Sequence, residues 1–220
     1  MSEVFSGKRW SIQRFVSGFS NNAFLIVCKQ TGKSLIVDTP ADPNALIKAT
    51  AKTDVQAILI THGHRDHVEG FPEVSNEFDV PVGIGFADQD SLPGEINKYI
   101  ELRTTRVIKA GNIRLHSLDT PGHTPGSTCF YLQNPVEDEV SHLFSGDTLF
   151  PGGPGKSVSH QAFKQIIESL EVQIYKLPDS SVVLPGHGDF TTIGTSKREY
   201  ARFSMTPMDP DLYGDVTWTP

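Results

Sequence analysis

The segment Thr61-His62-Gly63-His64-Arg65-Asp66-His67 follows an apolar run, DVQAILI, at positions 54–60. A near-continuous apolar run of this length is typical of a strand that is covered on both faces. Four of the seven residues after it carry an imidazole or a carboxylate, the ligands that suit zinc, iron or manganese. The tight H-x-H-x-D-H spacing lets these side chains reach different sides of a metal cluster. The segment therefore predicts a metal centre at the end of a buried strand.

Three more segments place a ligand-type side chain beside glycine. They are Pro121-Gly122-His123-Thr124, Ser145-Gly146-Asp147-Thr148 and Pro185-Gly186-His187-Gly188. Because glycine lets the backbone turn sharply and approach closely, it can bring its neighbour from a distant strand to a shared point. A single polar residue in a loop more often bonds to the backbone, but the four segments together predict one metal centre.

The rest of the chain alternates between strand-like and helix-like patterns. The first half predicts strands at 10–16, 23–29, 34–38, 54–61 and near 80–84, and helices at 44–52, 67–78 (broken) and near 95–103. The second half predicts strands at 106–109, 112–118, 128–132, 141–145 and 181–184. It also predicts a helix with an apolar stripe from Phe163 to Leu177 and a terminal helix at 196–203. Strands followed by helices, twice over, predict an α/β fold of two packed sheets with helices outside.

The composition indicates a globular domain with a small-molecule substrate. The chain has 220 residues, 37% of them hydrophobic, which is enough for one sizeable core. Its net charge of −7 argues against a nucleic-acid or membrane surface, since both normally require a basic face. The N-terminus does not resemble a signal peptide, and no apolar run approaches the roughly 18 residues of a membrane span. We therefore expect a cytoplasmic protein, with the oligomeric state, a homodimer included, left open.

The four motifs THGHRDH, PGHT, SGDTLF and LPGHG resemble, in this order, the metal motifs of the metallo-β-lactamase superfamily, and AFLIV with LIVDTP resembles its opening hairpin. The resemblance implies a four-layer αββα sandwich that holds two divalent transition metals, zinc first, with iron or manganese as alternatives. By the family pattern one metal is held by His62, His64 and His123, and the other by Asp66, His67 and His187. Asp147 would bridge the two, and Asp38 resembles a family aspartate that supports a ligand.

Within the superfamily, GDTLF, GGPGK and LPGHGDFTTIG are most similar to small glyoxalase II-like hydrolases, which cleave thioesters. By this resemblance Lys156 matches a basic residue that contacts an anionic substrate. The chain departs from that pattern at Pro154, where Gly-Cys-Gly is common in the family. About thirty residues follow Gly188, too few for the helical glutathione-binding domain of a two-domain glyoxalase II. We expect a hydrolase domain at 1–204 and a C-terminal tail at 205–220.

This site predicts a hydrolytic mechanism without a covalent intermediate. Two neighbouring metals can share a bridging water and lower its pKa toward neutrality, which supplies hydroxide as the nucleophile, and Asp66 would orient it. The metals would also stabilise the oxyanion of the tetrahedral intermediate. The alternatives are a lactonase or β-lactamase-type hydrolase, because the loops select the substrate, and a persulfide dioxygenase-like enzyme with a single iron.

Several polar residues outside these motifs have plainer interpretations. Cys28 and Cys129 lie in apolar runs and are expected to be buried, reduced thiols. No ligand-like context surrounds the remaining histidines, which are His116, His142 and His160. Ser20-Asn21-Asn22 could line a cleft or form a turn. The tail residues Met205, Met208, Tyr213 and Trp218 are expected to pack over the domain, with a dimer contact or an approach to the cleft as alternatives.

Overall fold

A seven-stranded sheet forms the first half of the fold. The computed structural model describes residues 1–18, 20–136, 139–205, 207 and 209–218. The sheet follows chain order: β1 (Ser2–Ser6), β2 (Trp10–Ser17), β3 (Asn21–Cys28), β4 (Lys33–Val37), β5 (Asp54–Leu59), β6 (Val82–Gly83) and β7 (Tyr99–Ile100). Neighbours from β1 to β4 are antiparallel, and neighbours from β4 to β7 are parallel.

The second half forms a six-stranded sheet and a short ribbon. The strands of the sheet are β8 (Val107–Ala110), β9 (Ile113–Asp119), β10 (Thr128–Leu132), β11 (His142–Gly146), β14 (Val182–Pro185) and β15 (Thr191–Thr192), and the ribbon pairs β12 (Leu149–Phe150) with β13 (Gly153–Pro154). Their spatial order in the sheet is β15, β14, β11, β10, β9, β8. This sheet is mostly antiparallel, but β11 and β14 run parallel.

In the part of the chain that the structure describes, five α-helices cover the outer faces of the two sheets. They are α1 (Asn44–Ala49), α2 (Arg65–Val68), α3 (Phe71–Glu77), α4 (His160–Ser169) and α5 (Ile193–Phe203). The predicted helix after Phe163 continues from α4 into a π-helical turn, Leu170–Ile174, and its stripe residues Phe163, Ile166 and Leu170 are buried as predicted. Among the described residues, no helix combines the length and the apolar character that crossing a membrane requires.

Among the described residues, three separate apolar clusters lie between four layers of secondary structure. On β3, Phe24 and Ile26 point into the cluster between the sheets, whereas Leu25 points into the cluster beneath α1 and α3. On β10, Phe130 faces the inter-sheet cluster and Tyr131 faces the cluster beneath α4 and α5. Side chains alternate between the two faces of a strand, so both sheets are covered on both faces. The four-layer αββα sandwich predicted from the sequence is confirmed.

Strand direction brings the polar loops to one edge of the sandwich. β9 and β11 both run antiparallel to β10, and β14 runs parallel to β11, so β9, β11 and β14 end at the same edge. Thr61, just beyond β5, joins this edge because its carbonyl accepts a hydrogen bond from the Thr128 amide at 2.8 Å. The four ligand-type segments of the sequence follow these four strands.

The helix predicted near 95–103 is wrong. The chain there is irregular and contains β7, which extends the first sheet by pairing with β6. The Tyr99 hydroxyl donates to the Ile84 carbonyl at 2.8 Å, and Leu102 is buried between the sheets. These tertiary contacts override a helix pattern that follows Pro93 and Gly94. The strands β1 and β15 and the ribbon β12–β13 were not predicted, and α5 begins at Ile193 rather than Ser196.

Candidate metal centre

The structure brings all seven predicted ligand residues together at this edge. Their donor atoms form three overlapping groups, within each of which all donor atoms lie within 4.8 Å of one another. We call His62, His64 and His123 the three-histidine group, and Asp66, His67 and His187 the aspartate group. Asp147 completes a third group with His62 and His67.

The three-histidine group joins the loop after β5 to the loop after β9. The Nδ1 atom of His64 lies 3.2 Å from Nε2 of His62 and 2.9 Å from Nε2 of His123. His62 is 1% exposed, whereas His64 faces solvent. Burial lowers the pKa of His62 well below its ordinary value, and it also lowers the pKa of His123. Both rings are therefore held in the neutral form, which is the form that binds metals.

The aspartate group joins the same first loop to the loop after β14. Nε2 of His67 lies 3.1 Å from Nε2 of His187, and Oδ2 of Asp66 lies 3.3 Å from the same His187 atom. Burial raises the pKa of Asp66, but hydrogen bonding from Asn21 and the charge of His67 outweigh it and lower that pKa. This group therefore contains an ionised carboxylate, which the three-histidine group lacks.

Asp147 lies between the two groups. Its carboxylate oxygens are 3.4 Å from Nε2 of His67, 3.6 Å from Nε2 of His123 and 3.4 Å from Nε2 of His187. Burial disfavours the carboxylate, but the imidazoles of His187 and His67 overcome it and lower the pKa of Asp147 well below its usual range. Its buried Oδ1 atom has no well-formed hydrogen bond within the described residues, and the imidazole nitrogen that approaches it is Nε2 of His67 at 3.4 Å. A buried carboxylate oxygen of this kind fits a cation.

The outer ring nitrogens show which way three of the imidazoles face. Nδ1–H of His67 donates to Asp38 at 3.0 Å, and Nδ1–H of His123 donates to the Lys156 carbonyl at 2.8 Å. Thr61 donates its hydroxyl proton to Asp38, so its oxygen accepts from Nδ1–H of His62 at 3.1 Å. In the neutral rings of His62 and His123 the Nε2 lone pair is left facing the cluster, and Nε2 of His67 faces it too, at a position where a bound cation would replace the proton of that ring. This tautomer pattern is typical of metal-binding histidines, and the residues present fit a metal centre.

Asp38 supports this arrangement from below, as the sequence predicted. Its carboxylate accepts from the Thr61 amide at 2.7 Å, the Thr61 hydroxyl at 2.8 Å and the His67 ring. Burial lowers the pKa of His67, but the carboxylates of Asp147 and Asp38 outweigh it and raise that pKa to about 10. Asp38 has φ of +61°, a left-handed conformation that is uncommon outside glycine, asparagine and aspartate.

The contacts of Asn21 and Asn22 show whether the Ser20-Asn21-Asn22 segment lines a cleft or only forms a turn. The side-chain amide of Asn21 donates to Oδ2 of Asp66 and to the Asp66 carbonyl, both at 3.0 Å. The amide of Asn22 donates to the carbonyls of Pro185 and Gly188, on either side of His187. The two asparagines therefore hold the aspartate group, and the turn that they follow borders the site.

Asp88 is a supporting residue that the sequence did not reveal. It is 4% exposed and lies in a 3₁₀ turn, Phe86–Ser91. Its carboxylate accepts from the amides of Gly63 and Gly126, both at 2.9 Å, and from the Thr124 hydroxyl at 2.6 Å. It therefore ties the loop of His62 and His64 to the loop of His123. In the sequence Asp88 lies between Ala87 and Gln89, so it lacks the adjacent glycine that marks His123, Asp147 and His187.

Gly186 shows why glycine accompanies the donor side chains. A Cβ atom at this position would overlap Oδ1 of Asp147 and Cε1 of His67. Only a residue without a side chain lets the β14 loop approach both donors. The close-approach argument made from the sequence holds at this position.

Lys156 and the other histidines lie outside the cluster. The Lys156 side chain is 65% exposed, and its Nζ atom lies 3.8 Å from Oδ2 of Asp215. His142 is buried edge-on against Phe5, with ring centroids 4.4 Å apart, and His160 bonds to the Leu212 carbonyl at 3.0 Å. Cys28 and Cys129 are free and buried, as predicted.

A cavity of about 470 Å³ opens beside the aspartate group. The turn after β2 and the segment around α2 enclose it, and the residues that line it are Ser17, Gly18, Asn21, Ala41, Arg65, Asp66 and Glu69. Because Asp66 is among them, a small molecule in this space would reach the donor cluster. Its volume is within the range of pockets that hold small ligands.

Comparisons with known proteins agree with the geometry. A probable hydroxyacylglutathione hydrolase of Schizosaccharomyces pombe is 34% identical over 182 residues, which cover 80% of this chain and 67% of the relative. A metallo-beta-lactamase structure from Staphylococcus aureus superposes with a TM-score of 0.76 at 28% identity, covering 87% of this chain and 62% of that one. The protein TTHA1623, solved in a di-iron-bound form, superposes with a TM-score of 0.66 at 26% identity, covering 84% of this chain and 97% of that one.

The family model described as the metallo-beta-lactamase superfamily matches residues 16–187. The matched segment runs from within β2 to His187, so it contains every donor of both groups. The chain belongs to the metallo-beta-lactamase superfamily.

Proposed function

We propose that the chain is a metal-dependent hydrolase of the glyoxalase II-like type, which holds two divalent transition metals and cleaves a thioester. The observation that carries the proposal is the pair of donor groups that share Asp147, with the Nε2 atoms of His62, His67 and His123 turned inward. The similarity to a probable hydroxyacylglutathione hydrolase supports the choice of substrate class.

Each donor group would hold one ion, and Asp147 would contact both. Bound there, divalent ions supply Lewis acidity that activates water near neutral pH and polarises the scissile carbonyl. Zinc suits the mixed imidazole and carboxylate donors, and iron and manganese are the alternatives. The di-iron form of TTHA1623 supports the choice of two ions.

Asp66 is the proposed catalytic residue of the chain itself. Its side chain is 42% exposed, in contrast to 12% for Asp147, so it is the donor carboxylate that water and substrate can reach. The lowered pKa keeps it ionised near neutral pH, and Asn21 fixes its Oδ2 atom. An ionised, oriented carboxylate can accept a hydrogen bond from the attacking water or hydroxide and so direct its lone pair toward the carbonyl carbon.

A thioester needs less protonation of its leaving group by the protein than other acyl substrates do. A thiolate departs with little protonation, because a thiol has an ordinary pKa of about 8.5. The chain offers no comparable covalent route at the cysteines, since burial raises the pKa of Cys129 to about 11 and Cys28 lies on β3 near Asn112, away from the cluster. Direct attack by water is therefore the favoured mechanism.

Metal analysis tests the first part of the proposal. Protein purified without chelator should contain close to two transition-metal ions per chain. His123→Ala should remove mainly the ion of the three-histidine group, whereas His116→Ala, a histidine outside the cluster, should leave the content unchanged. A reproducible value near one ion in the unaltered protein would contradict the two-metal assignment and favour the mononuclear dioxygenase-like alternative.

A substrate panel tests the second part. Hydroxyacyl thioesters of glutathione and of a simple thiol should be hydrolysed faster than the matched oxygen esters, lactones and β-lactams. Faster turnover of lactones or β-lactams would retain the metal centre but reject thioester specificity. Oxygen uptake with a persulfide, without hydrolysis of any acyl substrate, would reject hydrolysis altogether.

A further inference from the structure

The segment after α5 lies across residues 152–157, which comprise β13 of the ribbon and the residues on either side of it. We call residues 211–218 the strap and residues 152–157 the support loop. The Ser157 amide donates to the Gly214 carbonyl at 3.1 Å, and the Gly214 amide donates to the Ser157 hydroxyl at 3.1 Å. The Trp218 amide donates to the Gly152 carbonyl at 2.8 Å. The strap is therefore hydrogen-bonded to both ends of the support loop.

Trp218 anchors the strap to the core. It is 4% exposed and belongs to the apolar cluster beneath α4 and α5. Its ring centroid lies 5.2 Å from that of Tyr200 and 6.4 Å from that of Tyr175. Buried aromatic side chains are strong anchors because they remove a large apolar area from water. Val216, two residues earlier, is also buried.

The support loop contacts two of the proposed metal ligands. The Lys156 carbonyl accepts from Nδ1–H of His123 at 2.8 Å. At Gly155 the backbone approaches so closely that a Cβ atom would overlap the Asp147 carbonyl. The same Cβ would lie 3.3 Å from Nδ1 of His123. Any displacement of the loop would therefore change the orientation of the His123 ring.

We propose that the strap is a positioning element for His123, acting through the support loop. The inference rests on the proposed role of His123 as a metal ligand. The strap lies beyond residues 16–187, which the superfamily model matches, so it supports the site from outside that segment. The hydrogen bond to Nδ1 selects the tautomer and ring angle that a metal at Nε2 needs.

The backbone hydrogen bonds and the Trp218 ring hold the support loop in place. The ion pair of Lys156 with Asp215 does not contribute to this. That pair is 3.8 Å long, with the two side chains 65% and 79% exposed. Solvent screens such a pair, and exposed ion pairs contribute little to holding a segment. Removing Asp215 should therefore leave the support loop in place, whereas removing the Trp218 ring should release it.

The test compares three variants of the full chain. Trp218→Ala removes the anchor, and Tyr213→Ala removes an exposed ring of the same strap. Ile174→Ala removes a buried side chain from the same apolar cluster, so it reproduces a loss of global stability without touching the support loop. The readouts are metal release to a chelator, amide hydrogen exchange of residues 152–157, and the ¹⁵N chemical shifts of the His123 ring in metal-free protein.

Trp218→Ala should accelerate exchange in the support loop, move the His123 nitrogen shifts toward a mixture of tautomers, and weaken one of the two metals by about tenfold. The two control variants should change none of these readouts. Equal effects in Trp218→Ala and Ile174→Ala, or none in Trp218→Ala, would overturn the inference. Unchanged metal content in His123→Ala would contradict the proposed metal assignment. The hydrogen-exchange data test the strap and not that assignment, so the two failures can be told apart.

Discussion

The three-histidine group and the aspartate group differ in the chemistry of their donor side chains and of the groups that support them. The first consists of imidazoles alone, and its outer hydrogen bonds run to a hydroxyl and to the carbonyl of Lys156. The second contains the carboxylate of Asp66, and its outer bonds run to the carboxylate of Asp38 and the amide of Asn21. Negative charge close to a cation strengthens binding in a partly desolvated site. Metal binding at the aspartate group therefore depends on charge, whereas at the three-histidine group it depends on how firmly the loops are held.

Removing the shared carboxylate should erase the difference between the groups. Asp147→Asn keeps the shape but removes a charge that faces donors of both groups. We expect both metals to bind weakly and turnover to fall by at least about 10³-fold, because substrate activation depends on both. Elemental analysis and steady-state kinetics on a thioester measure the two effects.

Asp189→Asn is the matched control for Asp147→Asn. It removes an exposed carboxylate two residues after His187 and should leave metal content and turnover unchanged. Normal metal content together with normal turnover in Asp147→Asn would reject Asp147 as the shared ligand.

Weakening mainly the aspartate group, whose His67 is bonded directly to Asp38 whereas His62 is reached only through Thr61, should reverse the order in which the metals leave. Asp38→Asn tolerates the left-handed backbone at this position but replaces the charge that holds Nδ1 of His67. Loss of such a supporting contact typically costs about 10- to 100-fold in metal affinity. Stepwise removal by a chelator should take the three-histidine metal first from the unaltered protein and the other metal first from the variant. An unchanged order would mean that Asp38 serves folding alone.

The sequence could predict which donor residues meet at one edge because each motif is local, with its donors beside glycine at the end of an apolar strand; their role as metal ligands stays a proposal. Asp38 could be predicted for the same reason, through its resemblance to a family segment. Asp88 could not, because its partners Gly63 and Gly126 are backbone amides that come near it only in the folded chain. The false helix near 95–103 has the same cause, since pairing of β7 with β6 is decided by tertiary contacts. Local sequence patterns therefore identify the proposed ligand residues, whereas residues such as Asp88 that support them are brought into place only by long-range packing.

Loosening only the three-histidine group should give a smaller effect. Asp88→Asn retains one acceptor oxygen but cannot serve the Gly63 amide, the Gly126 amide and the Thr124 hydroxyl together. We expect about tenfold weaker binding of one metal, with the order of removal unchanged. Asp90→Asn, an exposed residue on the same turn, is the control. Equal weakening of both metals in Asp88→Asn would show that the turn supports the whole edge rather than one group.

The smallest expected effect concerns Lys156, whose backbone and side chain have different proposed roles. Its carbonyl supports His123, and its ammonium is the proposed contact for an anionic substrate. Lys156→Ala keeps the carbonyl, so metal content and kcat should hold. KM for an anionic thioester should rise by only about threefold, or roughly 0.7 kcal/mol, because the ammonium is exposed and screened. Asp215→Ala frees the ammonium from its partner and should lower the same KM, with a neutral thioester unaffected by either change. If both variants raise KM for both substrates, the effect comes through the support loop and the three-histidine group, and the Lys156 ammonium has no part in binding.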